Sequence, residues 1–271
     1  MKIKIIYISP NGTTKITAEE IRKGLTAYGL NASLYDLGSE PYRSDFSKLS
    51  AELDGADLIG FGSPVYHMQF FEPMSRFLDH IAFEGAARHR FKTFLFANYA
   101  GITSGKSFLK AENQLQKAGL DIVGAMKLYA PHFHHEEAFP SDDALRTISE
   151  LCEHISRTDL DRVKSGCFEP KAAVNIVYPL VHLIGKMREL PIFVHTSDCR
   201  GCGICAAECP SAAISVGDVA EINFNKCLHC YHCSLCCPFN AIECPVQRLD
   251  AMIAQNKKII GTEYPQNQLI S

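Results

Sequence analysis

Cys199-Arg200-Gly201-Cys202-Gly203-Ile204-Cys205-Ala206-Ala207-Glu208-Cys209-Pro210 is followed by Cys227-Leu228-His229-Cys230-Tyr231-His232-Cys233-Ser234-Leu235-Cys236-Cys237-Pro238, and both runs have the form C-x-x-C-x-x-C-x-x-x-C-P. Corresponding cysteines, such as Cys199 and Cys227, lie 28 residues apart, so one unit is written twice. With this spacing three close thiolates wrap one iron-sulfur cube and the fourth reaches across to the other. Two 4Fe-4S clusters follow. The crossed pattern assigns Cys199, Cys202, Cys205 and Cys237 to one, and Cys227, Cys230, Cys233 and Cys209 to the other.

Two competing readings are weaker. A zinc ribbon wants well-separated C-x-x-C knuckles and gives no reason for the third cysteine or the final proline. A disulfide framework belongs to secreted chains, and the opening Met1-Lys2-Ile3-Lys4 has no signal-peptide character. Cys236 lacks the three-residue gap and following proline of Cys237, so it is the spare. Cys152, Cys167 and Cys244 fit no ligand spacing and are expected to be buried small apolar residues.

Ten of the twelve cysteines fall between Cys199 and Cys244, which confines the metal chemistry to the last third of the 271 residues. With 46% apolar and 21% charged residues, the rest can bury a core without staples. A net charge of -3 argues against a general nucleic-acid role. Asp198, Glu208, Asp218, Glu221, Glu243 and Asp250 outnumber Arg200, Lys226 and Arg248 around the cysteines, so a redox partner with a basic docking face is expected. Such a density of reduced thiols argues for the cytoplasm.

Upstream, 2–9 reads KIKIIYIS, a buried parallel strand. Ser9-Pro10-Asn11-Gly12-Thr13-Thr14 and a helix over 15–28 follow, and this makes an anion cradle: N–H groups and hydroxyls face a phosphate favoured by the helix dipole. The cradle lacks the Lys-Ser/Thr of a nucleotide-hydrolysing loop and the three glycines of a dinucleotide fingerprint, so a phosphomonoester on a small cofactor fits best. The alternative is a plain strand-to-helix turn with an N-cap. Strands are expected at 32–37, 56–62, 93–98 and 123–129, and helices at 45–53, 73–85, 106–118 and 141–163. Five strands alternating with five helices imply a doubly wound parallel sheet with its ligand at the carboxyl ends of the strands.

Residues 1–165 resemble a flavodoxin-like FMN-binding domain and 197–247 a small α+β bacterial two-cluster ferredoxin. Together, joined by a connector arm over 166–196 and followed by a helix and tail over 248–271, they resemble the flavodoxin-ferredoxin fusion family. The resemblance maps the FMN phosphate loop onto Ser9, Asn11, Gly12, Thr13 and Thr14, with Asn11 where flavodoxins usually have Thr. It maps the flavin-flanking turns onto Ser63-Pro64-Val65-Tyr66 and Asn98-Tyr99-Ala100-Gly101. Tyr66 and Tyr99 are the candidates to stack on the flavin ring, against the plainer role of half-buried loop aromatics.

Pro131-His132-Phe133-His134-His135-Glu136-Glu137 is rich in metal-capable groups, but its place after the fifth strand suits a solvated loop. His67 could face a flavin edge or a substrate. His229 and His232 shape the loop between ligands. The apolar stretch 172–185 around Pro179 is shorter than the about 20 residues that span a bilayer, so no transmembrane segment is expected. It is read as an arm packing one domain on the other or as a docking surface. The tail from 261 onward is expected to fray.

FMN exchanges one or two electrons and clusters exchange one, so their union in one chain implies a relay of low-potential electrons to or from a partner protein. The resemblance implies the same, with no catalytic residue. An FMN-dependent reductase acting directly on a small molecule is the alternative, with His67 or Tyr99 over the substrate. A redox or iron sensor lacks a recognisable signalling surface. Transfer within one chain and transfer across a homodimer both remain open.

Overall fold

In the computed structural model, which describes residues 1–85, 87–133, 137–157, 159–164, 166–187 and 190–271, the opening apolar run forms β1 (Ile3–Tyr7), buried at every position. Then follow α1 (Thr13–Ala27), β2 (Ala32–Asp36), α2 (Phe46–Glu52), β3 (Leu58–Tyr66), β4 (Gln69–Phe70), α3 (Glu72–Glu84), β5 (Lys92–Tyr99), α4 (Ser107–Lys117), β6 (Ile122–Tyr129) and α5 (Asp142–Ser156). Strands β2, β1, β3, β5 and β6 lie side by side in that order, all parallel. The chain leaves β1 toward β2 and returns on the other side at β3, so the crevice lies at the carboxyl ends of β1 and β3.

Alternation along the strands builds two cores. Ile6, Phe61 and Leu95 meet Leu49, Phe77 and Leu115 on one face. Ile5, Tyr7, Phe94 and Phe96 meet Ile21, Leu25 and Leu151 on the other. Phe96 is so close to β3 that a Cβ on Gly62 would stand 1.9 Å from its ring.

Beyond α6 (Ala172–Met187), the small lobe contains β7 (Phe193–Val194), α7 (Ile204–Ala207), β8 (Ile214–Val216), β9 (Ala220–Ile222), α8 (His232–Cys236) and β10 (Ile242–Glu243), before α9 (Val246–Ile260) and β11 (Gln268–Ile270). Strand β8 pairs with β9, and β7 with β10, all antiparallel. The written repeat is also a conformational one. Gly201 and His229, Gly203 and Tyr231, and Ala212 and Asn240 are three pairs 28 residues apart, and all six have positive φ between 48° and 80°.

Four expectations are corrected. The tail is not frayed, because β11 pairs antiparallel with β6 and closes that edge of the sheet. The helix expected to reach 163 stops at Ser156, where Arg157 turns extended (ψ 149°). The change lets Leu160 and Val163 bury themselves and Val163 N–H reach the Ile122 carbonyl at 2.8 Å. Residues 63–66 are no loop but the end of β3, which folds back on β4 through His67 and Met68, both in the left-handed region. Cys167 is exposed; Cys152 is fully buried and Cys244 partly so.

Connector α6 lies against the large lobe. Its Tyr178 hydroxyl donates to Gln69 Oε1 at 2.9 Å, and the ammonium groups of Lys106 and Lys110 lie 4.9 and 5.5 Å from the Tyr178 ring centre. Among the described residues no helix is long and apolar enough to cross a membrane.

Candidate functional site

At the mouth of the crevice, Gly12 caps α1 with φ 86°, and a Cβ there would meet nothing within 4 Å, so the space above it is open. Gly12 N–H closes on the Ser9 carbonyl (3.3 Å), Lys15 N–H on the Ser9 hydroxyl (2.9 Å) and Ile16 N–H on the Gly12 carbonyl (3.1 Å). The Thr13 and Thr14 N–H groups belong to the first turn of α1, where a helix offers no partner of its own. The Thr14 hydroxyl is buried and makes no hydrogen bond among the described residues. A buried orphan hydroxyl beside an open glycine turn at a helix N-terminus fits a phosphate.

Asn11 belongs to the same loop, yet its side chain turns away from the cradle. Its oxygen accepts from the Tyr66 hydroxyl (2.9 Å) while its nitrogen donates to the carbonyls of Cys230 (3.1 Å) and Pro10 (3.2 Å). The reversed amide would set oxygen against two carbonyl oxygens. The Tyr66 hydroxyl is deep. Burial drives it far above the ordinary phenol range and the neighbouring Cys230 adds to this, so it stays a proton donor. The Tyr66 ring lies 4.7 Å from that of Phe71, tilted by 40°.

The other expected flavin residues are divided. The Ser63 hydroxyl, fully buried, accepts from Phe71 N–H (3.0 Å) and donates to the Pro64 carbonyl (2.9 Å), which holds the hairpin. Val65 and Tyr66 pack on the core cluster to which Cys230 also belongs. Asn98 is tucked beneath the sheet, where its Nδ2 donates to Thr17 Oγ1 (3.0 Å) and its Oδ1 has no partner among the described residues. Tyr99 is buried and donates to the Gln266 carbonyl (2.9 Å); a Cβ on Gly101 would lie 3.2 Å from Gln266 Nε2. Tyr99 is thus covered by the tail, while Tyr66 is half-buried at the end of β3. The one sequence signal of the tail's presence here was Lys127, a lysine inside the apolar strand β6 that calls for an acidic partner.

In the small lobe two hollows of similar size, about 330 Å³ each, receive the cysteines. One is lined by Cys199, Cys202, Cys205 and Cys237. The other is lined by Cys209, Cys227, Cys230 and Cys233. Burial raises the Cys205 thiol, and Cys199, Cys202 and Cys237 push it the same way. Burial likewise raises Cys233, with Cys230, Cys227, Cys236 and Cys209 adding to it. Among the described residues no three His, Cys, Asp or Glu side chains close on a single-ion site; the sulfurs stand round a space.

Backbone N–H groups aim at those sulfurs. Ala213 donates to Cys209 and Ala241 to Cys237, both at 3.3 Å and related by the repeat, while Ala220 reaches Cys199 (3.3 Å) and His229 reaches Cys227 (3.4 Å). Such bonds favour thiolate ligands and tune cluster potentials. Cys236 lines neither hollow and sits near Cys205 and Cys237 of one and Cys233 of the other.

His134, His135 and Glu136 lie outside the described residues, while Phe133 packs 5.8 Å from the Tyr231 ring. The hollow with Cys230 faces the large lobe. Arg43, on the loop after β2, donates to the carbonyls of Ala207 (2.7 Å) and Cys209 (3.0 Å), a second tie that the sequence did not announce.

Residues 1–139 match the family model of the NADPH-dependent FMN reductases. The chain belongs to that family. Residues 192–215 of this FMN reductase relative match the 4Fe-4S binding domain. Over 36 residues it is 50% identical to ferredoxin YfhL of Escherichia coli K12, covering 13% of the chain and 42% of that ferredoxin, so the match spans under half of the curated relative. Similar solved structures include a flavodoxin from the domain Archaea (19% identity, TM-score 0.45, 58% of this chain and 96% of that one). Another is flavodoxin 2 of Bacillus cereus (20%, TM-score 0.44, 58% and 97%). The chain is a flavodoxin-ferredoxin fusion whose cofactors are FMN and two 4Fe-4S clusters, an iron-sulfur flavoprotein with a redox role.

Proposed function

We propose that this protein is an electron carrier that relays low-potential electrons between an external protein and FMN within a single chain. Cys199, Cys202, Cys205 and Cys237 hold the outer cluster, and Cys209, Cys227, Cys230 and Cys233 the inner one. The observation that carries the reading is Asn11: from the phosphate loop it bonds both Tyr66 and the backbone of Cys230, which puts the inner hollow against the flavin lobe. When bound, the clusters supply one-electron exchange and FMN one- or two-electron exchange.

Around these groups the chain's own residues do the positioning. Gly12, Thr13 and Thr14 hold the phosphate, Asn11 and Arg43 fix the inner ligand loops, and the peptide N–H groups stabilise thiolate sulfur. At the outer hollow, Cys202, Ile204 and Phe239 are exposed, with Asp198 and Asp218 also at the surface. This edge suits a donor with an apolar centre and a basic rim.

A second reading takes the family name at its word: hydride from NADPH reduces the flavin directly. Burial of Tyr99 under the tail weighs against an open substrate face. Anaerobic preparation with metal, sulfide and flavin analysis tests the carrier. About eight iron atoms and one FMN per chain are expected, and Cys202→Ser should halve the iron. Zinc in place of iron, or no flavin, overturns it. Rapid flavin reduction by NADPH, with no protein partner, would favour the second reading.

A further inference from the structure

We propose that residues 261–270 are a working wall of the flavin site, and that Glu263 is the positioning residue that sets the 101–105 loop. This rests on the flavin reading above. The loop contains Gly101 (φ 77°) and Gly105 (φ 62°), two backbone positions with wide freedom when unrestrained. One distant residue pins it twice. Glu263 N–H donates to the Ile102 carbonyl (2.8 Å), and the Glu263 carboxylate accepts from Ser104 N–H and from the Ser104 hydroxyl (3.1 Å to either oxygen).

The same carboxylate meets the Lys127 ammonium at 2.7 Å, and Lys127 is only 4% exposed on β6. The pair is therefore anchored to the sheet itself. The rest of the segment is fixed at intervals. The Gln266 carbonyl takes the Tyr99 hydroxyl, Asn267 accepts from Tyr129 N–H (2.8 Å) and donates to Asp143 (2.6 Å), and Leu269 stands opposite Met126. The loop's far end meets the hairpin through Lys106 N–H on the Met68 carbonyl (2.7 Å), and a Cβ on Gly105 would come within 2.4 Å of Met68. The tail thus sets the position of one flavin-flanking turn and, through it, that of the other. A stripped-down stabilising role would leave the flavin indifferent to the loss of one contact in the tail.

The test uses the full chain with its clusters. FMN binding is measured by flavin fluorescence quenching, and the protection of residues 101–105 by hydrogen exchange, for wild type, Glu263→Gln and Lys127→Met/Glu263→Ala. The double variant leaves no buried charge stranded. Expected are faster exchange at Ser104 and an FMN dissociation constant raised at least tenfold in both variants, with the cluster EPR signals unchanged. Wild-type FMN affinity in the variants, or Ser104 exchange no faster than in wild type, overturns the wall while leaving the carrier reading intact. A wild-type chain that takes up no FMN overturns both.

Discussion

Asn11 stands where flavodoxins usually have Thr, and here its side chain bonds Tyr66 and Pro10 of its own lobe and the Cys230 carbonyl of the small one. Asn11→Ala should therefore leave FMN bound while slowing its reduction by the clusters about tenfold or more, as stopped-flow absorbance at the flavin band would read. Thr14 argues the other way. Its buried hydroxyl has no partner among the described residues, and such a group costs about 1–3 kcal/mol. Thr14→Val should raise the stability of the flavin-free protein in denaturant titrations yet weaken FMN binding about tenfold. A variant that binds FMN normally would remove Thr14 from the phosphate site. Gly62→Ala tests packing alone: its methyl would drive into Phe96, for a loss of about 1–3 kcal/mol or more. At this scale the cysteines were legible because ligand spacing is a local property of the chain. The roles of Asn11 and Arg43 were not, since both depend on carbonyls more than 160 residues away in sequence.

Among elements, the parallel strands and their helices could be read from apolar runs and periodicity, apart from their ends. Helix α5 stops early because burying Leu160 and Val163 competes with continuing the helix. The left-handed positions of the second ligand loop were hidden because His229 and Tyr231 occupy sites where the first loop announces itself with Gly201 and Gly203. The strand β11 was missed because three residues after a Pro-containing turn carry no period. Its anchor has a signed pH response. Burial alone would raise the Glu263 carboxyl, but the bonds from Lys127 and Ser104 outweigh it and hold it below its usual 4.5. A carboxyl lowered on folding stabilises above its unfolded value and loses that contribution as pH falls through the folded one. The stability gap between wild type and Glu263→Gln, measured by urea titration, should therefore be full near neutrality and close as pH drops below about 4.5.

For the molecule as a whole, the hollow with Cys230 lies against the large lobe, while the other is lined by the exposed Cys202, Ile204 and Phe239. On the proposed entry at the outer hollow, association with a basic donor should slow steeply as salt is raised from low ionic strength to about 0.15 M, where the Debye length is about 8 Å. Salt-independent reduction by such a donor would point to another entry face. Because β11 completes the sheet at β6, the flavin lobe is not a contiguous stretch of chain. During synthesis the ribosome must finish the entire cysteine-rich lobe between Tyr129 and Gln268 before the last strand can dock. Until the tail has been made, the first lobe keeps an open sheet edge at β6.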